Sequence, residues 1–315
     1  MKKVKNNKAP KAIEAFVEEN SSKGLRVFVA GGARSGNDNI YTEEAYNLGR
    51  QIVKMGLKLD FGLSNSGIMG AVARGVLDTW QHMFCNNGEL PIKGITTSDY
   101  FCLYPQDDEL LKQISNIIFA KTLEERKQRL LRADFVVFAP GGVGTLDELA
   151  YDCVAMQDGF LDLKPFILYN VNGYFYHLLE YLKQIAAKGF ANPLPFIVVD
   201  NSQEIEIVFR LLKLRYENSQ DVTAAYANTR QLIYELPYFL KNKTDNSVFV
   251  EDIIKKMEKI RKNGTDEEKL QLNREIEQAY LEKEINRMNE RVEKTFKDTK
   301  ALIEKLVKLE QRQKI

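Results

Sequence analysis

Histidine is almost missing from this chain of 315 residues, which has only His82 and His177. A histidine-built zinc site or a Ser-His-Asp triad therefore has little to draw on. Cysteine is equally sparse. Cys85, Cys102 and Cys153 are an odd number without CxxC spacing, which argues against a disulfide framework and for a reduced, cytoplasmic setting. Net charge is lacking as well, with 45 Lys and Arg against 44 Asp and Glu, so no overall field draws the protein to nucleic acid or a membrane. No apolar run approaches the roughly 20 residues of a bilayer span. Residues 1–24 form a basic N-terminal extension without the apolar core of a signal peptide.

What the chain does have is alternation. Short apolar runs at Leu25–Ala30, Leu57–Gly62, Ile92–Thr96, Phe135–Ala139, Phe166–Tyr169 and Phe196–Val199 read as parallel strands buried on both faces. Helical patterns fall between them, near Thr42–Met55, Gly67–Thr79, Asp108–Ile118, Thr122–Arg132, Thr145–Gln157, Tyr174–Lys188 and Ser202–Leu214. The expected fold is α/β: a Rossmann-like, doubly wound parallel sheet over residues 25–217, with ligands held at the carboxyl ends of its strands. Residues 218–315 form a helical extension. Within it Asp221–Leu240 reads as a helix, Lys241–Asn246 as a connector, and the rest as a charged helical tail. Gly264 interrupts that tail, and Thr265 with Glu268 forms a capping box that restarts it. Beyond, Ile285, Met288, Val292, Leu302, Leu306 and Leu309 fall on a heptad seam, with Thr295 and Thr299 as poor fits. Such a seam serves either a short coiled coil that dimerises the chain or docks a partner, or an amphipathic helix lying on the chain's own core.

The strongest local feature is Pro140-Gly141-Gly142-Val143-Gly144-Thr145, which joins the Phe135–Ala139 strand to a helix. Glycines let backbone N–H groups approach a ligand, and a helix N-terminus adds free donors and a positive dipole end, so the loop can cradle a phosphate. It has neither the Lys-Ser/Thr of a P-loop nor GxGxxG spacing. An alternative is purely structural: Thr145 and Glu148 stand three apart, as in a capping box on a plain glycine turn. One helix upstream, Arg126 and Lys127 offer a phosphate a guanidinium fork and a further cation, or simply belong to a solvated face beside Glu124, Glu125, Arg129 and Arg132. Two more small-residue loops, Gly31–Gly36 and Ser64–Gly70, follow the first and second strands and would share the same sheet edge.

These residues resemble a known family. PGGVGTLDE at Pro140–Glu148, preceded by Arg126-Lys127, is similar to the PGGxGTxxE and RK motifs of the LONELY GUY (LOG) proteins, long labelled lysine decarboxylases. VFVAGGARSG near the start, SGIMG at Ser66–Gly70 and KPFILYNVNGYF at Lys164–Phe175 are similar in order and spacing, so the resemblance spans about Leu25 to Leu214. It implies a Rossmann-like fold, a homodimer, no cofactor or metal, and hydrolysis of a nucleoside 5′-monophosphate such as AMP or a cytokinin riboside monophosphate to free base and ribose 5-phosphate. Arg126 and Glu148 would be catalytic, and Gly141, Gly142, Val143, Gly144 and Thr145 would hold the phosphate. Gly32, Ser35, Gly67, Met69, Gly70, Lys127 and Asp108 complete the expected substrate pocket, although Asp107 and Asp108 could equally cap the helix that follows them. The chain departs from the pattern at Glu124, where His is usual, at Tyr151, often acidic, and at Leu63-Ser64-Asn65, usually glycine-rich. No motif for a pyridoxal-binding lysine accompanies the old decarboxylase label. The alternative on this fold is a non-catalytic nucleotide sensor or molybdenum-cofactor carrier.

Overall fold

A computed structural model describes residues 24–85, 88–103, 106–161, 164, 166–192, 196–217, 235–242 and 249–313. The strands are β1 (Arg26–Ala30), β2 (Lys58–Phe61), β3 (Ile92–Thr97), β4 (Asn116–Ala120), β5 (Phe135–Phe138), β6 (Phe166–Tyr169) and β7 (Phe196–Val199). The helices are α1 (Ile40–Lys54), α2 (Gly67–Phe84), α3 (Ser98–Leu103), α4 (Asp108–Gln113), α5 (Leu123–Leu131), α6 (Val143–Gln157), α7 (Tyr176–Ala187), α8 (Ser202–Glu217), α9 (235–241), α10 (Phe249–Asn263) and α11 (Asp266–Gln313).

All seven strands pair in parallel, in the order β4-β3-β2-β1-β5-β6-β7. The doubly wound α/β sheet expected from the alternation of short apolar runs and helices is therefore the observed fold. The chain winds outward from β1 to β4, then crosses back to lay β5 against the other side of β1. The strand order thus reverses between β1 and β5, the place where a parallel sheet opens a crevice at its carboxyl edge. The central strands are sealed on both faces: every residue of β5 and β6 is buried.

One element differs from the sequence expectation. The helix anticipated over Asp108–Ile118 ends at Gln113, and Asn116–Ala120 instead adds β4 to the sheet edge. Ile114 is already extended, with ψ 116°. Ile117, Ile118 and Phe119 then gain a ladder of backbone hydrogen bonds beside β3, which suits β-branched and aromatic side chains better than a helix does. As an edge strand β4 is largely part-exposed, so it lacks the buried apolar signature of the others.

The tail is partly folded onto the body. Val250, Ile253 and Met257 of α10, and Leu272, Ile276 and Ala279 of α11, belong to the same apolar core as β2, α1 and α8. Its capping box forms in both directions: the Thr265 N–H donates to the Glu268 carboxylate at 2.7 Å, and the Glu268 N–H donates to the Thr265 hydroxyl at 3.2 Å. Most of the helix expected over Asp221–Leu240, and of the connector Lys241–Asn246, lies outside the described residues, as does the extension before Gly24. Among the described residues, no helix is long and apolar enough to cross a membrane.

Asp152, on the inward face of α6, is fully buried, and neither carboxylate oxygen has a hydrogen-bond partner among the described residues. Burial pushes its carboxyl up to about 6, against a smaller opposing pull from the Lys164 ammonium. Its folded pKa is above its unfolded one, so ionisation costs stability once pH passes the unfolded value near 4, and the full cost is reached above about 6. Asp152→Asn is expected to raise stability by about 3 kcal/mol at pH 8 and to change little at pH 4. Thermal melts of both proteins at the two pH values check this, and equal melting shifts at both would contradict it.

Candidate functional site

The crevice at the β1/β5 reversal is a cavity of 790 Å³, within the size range of small-ligand sites. Its walls come from the loops after β1, β2 and β5 and from α5 and α6. The three small-residue loops do converge, and their glycines are what allows it. The Gly32 N–H donates to the Pro140 carbonyl at 3.0 Å, and the Gly32 carbonyl accepts from the Ile68 N–H at 2.9 Å. A Cβ on Gly32 would stand 3.1 Å from the Cα of Gly141. Gly67 has φ +59°, and a Cβ there would strike the backbone of Ala33 and Arg34 at 2.5 Å. Gly70 is packed as tightly against Asn65.

The PGGVGT loop does not form the side-chain-capped helix start considered from the sequence. Helix α6 starts at Val143 with Gly142 as its N-cap and no side-chain cap. Thr145 is therefore the third helical residue, not the cap, and the Thr145–Glu148 capping box considered from the sequence does not form. Thr145 instead points back: its Oγ1 would be 2.1 Å from a Cβ on Gly141, which explains that glycine by packing alone. Gly142 and Gly144 differ, because a Cβ on either would meet nothing within 4 Å. The first turn of α6 thus presents backbone donors and a positive dipole end to open space in the cavity.

Arg126 reaches the same cavity from α5. Its Nε donates to the Ile95 carbonyl at 3.2 Å and its Nη2 to the Gly62 carbonyl at 3.4 Å, while the guanidinium lies 5.2 Å from the centre of the Tyr100 ring. A Cβ on Gly62 would sit 2.3 Å from Nη2, so that glycine makes room for the cation. Helix α5 itself is capped by the Thr122 hydroxyl, which accepts from the Glu125 N–H at 3.0 Å. Glu148, on the second turn of α6, also lines the cavity. Burial pushes its carboxyl up to about 7, although the Arg126 cation pulls the other way. A half-protonated carboxyl beside a fixed cation in a cleft is the arrangement expected of an acid–base group.

Of the remaining expected residues, Gly32, Ser35, Met69, Val143 and Lys127 line the cavity, whereas Gly67 and Gly70 support its loops without lining it. Lys127 is committed elsewhere: its ammonium pairs with Asp147 at 3.0 Å and Glu124 at 3.4 Å, and lies 4.5 Å from the centre of the Tyr151 ring. Two of the three departures from the family pattern, Glu124 and Tyr151, therefore meet around one lysine, with Gln128 donating to both. Asp108 is exposed in the first turn of α4 and does not line the cavity. Its neighbour Asp107 is the N-cap, accepting from the Glu109 and Leu110 N–H groups at 3.1 Å each.

Tyr41 and Tyr174 also line the cavity and were not singled out from the sequence. Their rings meet edge to face at 5.9 Å, and the Tyr174 hydroxyl donates to the Gly141 carbonyl. Only the NGYF run around Tyr174 signalled either of them. Tyr41 sits in an ordinary helix start, and no local pattern marks it.

Comparison with known proteins agrees with this geometry. The sequence profile of a family described as "possible lysine decarboxylase" matches residues 69–207. Cytokinin riboside 5′-monophosphate phosphoribohydrolase LOG2 of Arabidopsis thaliana is 30% identical over 177 residues, covering 56% of this chain and 76% of that protein. LOG7 of the same plant, with the same activity in its name, is 28% identical over 208 residues, 65% of this chain and 88% of its own length. Among solved structures, the molybdenum cofactor carrier protein of Chlamydomonas reinhardtii aligns with 61% of this chain and 99% of its own at 18% identity and a TM-score of 0.43. With PGGVGTLDE and Arg126-Lys127 set around one cavity at the sheet's reversal point, this chain belongs to the LOG family.

Proposed function

We propose that the chain hydrolyses the N-glycosidic bond of a nucleoside 5′-monophosphate, releasing the base and ribose 5-phosphate. The observation that carries this reading is the pairing of two features in one cavity: a helix N-terminus left open at Gly142 and Gly144, and a carboxyl at Glu148 held near neutrality beside Arg126. The names of the LOG relatives support the same chemistry.

In this reading the N–H groups of the first turn of α6 hold the 5′-phosphate, with Arg126 completing the charge balance. Fixing the phosphate orients the ribose, so binding energy from a non-reacting group is used at C1′. The bond between C1′ and the base nitrogen breaks with oxocarbenium character at the sugar. The Glu148 carboxylate stabilises that positive charge and accepts the proton of the water whose oxygen bonds to C1′, while the base leaves with the electron pair of the broken bond and is protonated. Tyr41 and Tyr174 add an aromatic wall to the cavity, next to the PGGVGT loop.

Incubation with AMP, GMP, CMP and cytokinin riboside monophosphates, with free base measured by chromatography, tests the proposal directly. Turnover of at least one is expected. Tight nucleotide binding with no base release from any of them would instead support a carrier or sensor. Because the Glu148 carboxylate is the working form, kcat/KM should rise with pH through a midpoint at about 7. Glu148→Gln should lower kcat by roughly 10²–10⁴, and a near-normal rate would remove Glu148 from the mechanism.

The open glycines give an independent check. Gly144 lies inside a helix, so Gly144→Ala should leave the fold intact and stabilise it by up to about 1 kcal/mol. Its methyl group would nonetheless occupy the phosphate's place and raise KM about tenfold or more, equivalent to about 1.4 kcal/mol. Unchanged KM with raised stability would show that the open turn does not hold the substrate.

A further inference from the structure

Among the described residues, helix α11 adds no buried apolar side chain to the core beyond Ala279. It nonetheless continues to grip the body with polar and charged groups. The heptad positions noted in its sequence, Ile285, Met288, Val292 and Leu302, are more than half exposed and do not lie on the core. Three inward contacts converge instead on one short turn, residues 170–175, which joins β6 to α7. Arg287 pairs with Asp200 at 3.0 Å, and Asp200 accepts from the Asn170 amide at 3.0 Å. Glu290 accepts from the Tyr176 hydroxyl at 3.0 Å, and Lys294 donates to the Asn172 carbonyl. Positions 287, 290 and 294 are spaced three and four apart, so they form one stripe along the helix.

The turn is one that needs holding. Asn172 has φ +51° and Gly173 φ +67°, two left-handed residues in succession. Left-handed backbone is unfavourable for a residue with a side chain. A Cβ on Gly173 would stand 2.4 Å from the Tyr176 ring, so the residue bonded to Glu290 packs directly on the turn. What the turn presents is Tyr174. Its ring meets Phe175 and Tyr41 edge to face, at 4.9 Å and 5.9 Å, and its hydroxyl donates to the Gly141 carbonyl.

That hydrogen bond falls on a peptide with little else to orient it. Three successive carbonyls of the PGGVGT loop are tied down. The Pro140 carbonyl accepts from the Gly32 N–H at 3.0 Å, and the Gly142 carbonyl from the Leu146 N–H at 3.1 Å. The carbonyl between them is held by the Tyr174 side chain. Neither Gly141 nor Gly142 has a Cβ, so side-chain sterics do not fix the peptide that joins them. A trans peptide is planar, with its C=O and N–H on opposite edges. Turning this unit over would therefore exchange the Gly142 N–H for the Gly141 carbonyl. A helix start attracts an anion through its N–H groups, and a carbonyl in their place repels it.

We propose that Tyr174 is a positioning residue of the phosphate cradle: its hydroxyl locks the Gly141–Gly142 peptide in the anion-accepting orientation, and α11 holds Tyr174 in place through Arg287, Glu290 and Lys294. The C-terminal helix is then a working part of the site. This rests on reading the start of α6 as the place of the 5′-phosphate, and adds to it the residues that keep that start in order.

Calorimetric titration of the full chain with ribose 5-phosphate tests it, comparing wild type with Tyr174→Phe, Lys294→Met and Lys294→Arg. Tyr174→Phe keeps the ring and loses the hydroxyl; Lys294→Met keeps the aliphatic stem and loses the ammonium. Each is expected to raise the Kd about fivefold, the worth of one hydrogen bond, with melting unchanged, and Lys294→Arg to stay near wild type. Equal affinities throughout would overturn the inference and leave the hydrolase reading standing. Weakening in Tyr174→Phe alone would overturn the role of α11. No binding by the wild type would remove the cradle, and this inference with it. Hydrogen exchange without ligand reads the same links. The Phe175 amide is bonded to the Asn170 side chain and the Leu146 amide to the Gly142 carbonyl. Both should exchange faster in Lys294→Met, and Leu146 alone in Tyr174→Phe. Unchanged exchange at both amides in Lys294→Met would show that the helix does not hold the turn.

Discussion

The cavity depends on one close approach of backbone to backbone, where Gly32 lies against Pro140 and Gly141. Because β1 and β5 are neighbours at the point where the strand order reverses, the loops that leave them diverge to opposite faces of the sheet. They can still touch at their origin only if neither carries a side chain there. That contact anchors the turn into α6 and aims its unsatisfied N–H groups across the crevice. The loop before α2 is fixed to the same point, through the Ile68 N–H bonded to the Gly32 carbonyl. The site is thus a backbone construction first, onto which Arg126 and Glu148 project from flanking helices.

The glycines of the PGGVGT loop divide by cause. Gly141 is required by the Thr145 side chain, and this is a folding constraint that would hold without any ligand. A Cβ on Gly142 or Gly144 would meet nothing within 4 Å; glycine is a favoured N-cap at 142, but at 144, inside the helix, it lowers stability relative to alanine. Packing therefore does not account for the glycine at 144. The same distinction applies to the acids of α6. Asp152 and Glu148 stand one helical turn apart and both are pushed toward the neutral form by burial, but only Glu148 opens on the cavity and only Glu148 has a guanidinium beside it. Gly142, Gly144 and Glu148 all line the cavity.

The central strands were legible in sequence because β5 and β6 are sealed on both faces, so their apolar runs are unbroken. The edge strand β4 was not, since a half-exposed strand of isoleucines beside a capped helix start imitates a longer helix. Arg126 and Glu148 were legible through their motifs. Their relation was not: Gly62, which vacates the space for the guanidinium, lies 64 residues from Arg126 in sequence and belongs to no motif. Tyr41 escaped for the same reason. Its place in the cavity lining comes from its ring contact with Tyr174, set by tertiary packing of α1 against the turn after β6. The capping box at Thr145 was a misleading local signal, because helix start is decided by the Thr145–Gly141 contact as well as by spacing. At Thr265 no such contact competes, and the same motif forms as written.

The tail is tied to the site through a chain of buried polar groups. Arg287 of α11 pairs with Asp200, which accepts from the Asn170 amide at 3.0 Å. Asn170 is itself buried at the end of β6, and its side-chain oxygen accepts from the Phe175 N–H at 2.8 Å, fixing the turn that presents Tyr174 to the Gly141 carbonyl. Lys294 holds the same turn from its other side, at the carbonyl of Asn172, whose φ of +51° is uncommon for a residue with a side chain. Each link is a fixed hydrogen bond or ion pair between elements that are otherwise well packed, so the tail sets the position of the aromatic wall rather than merely covering the core.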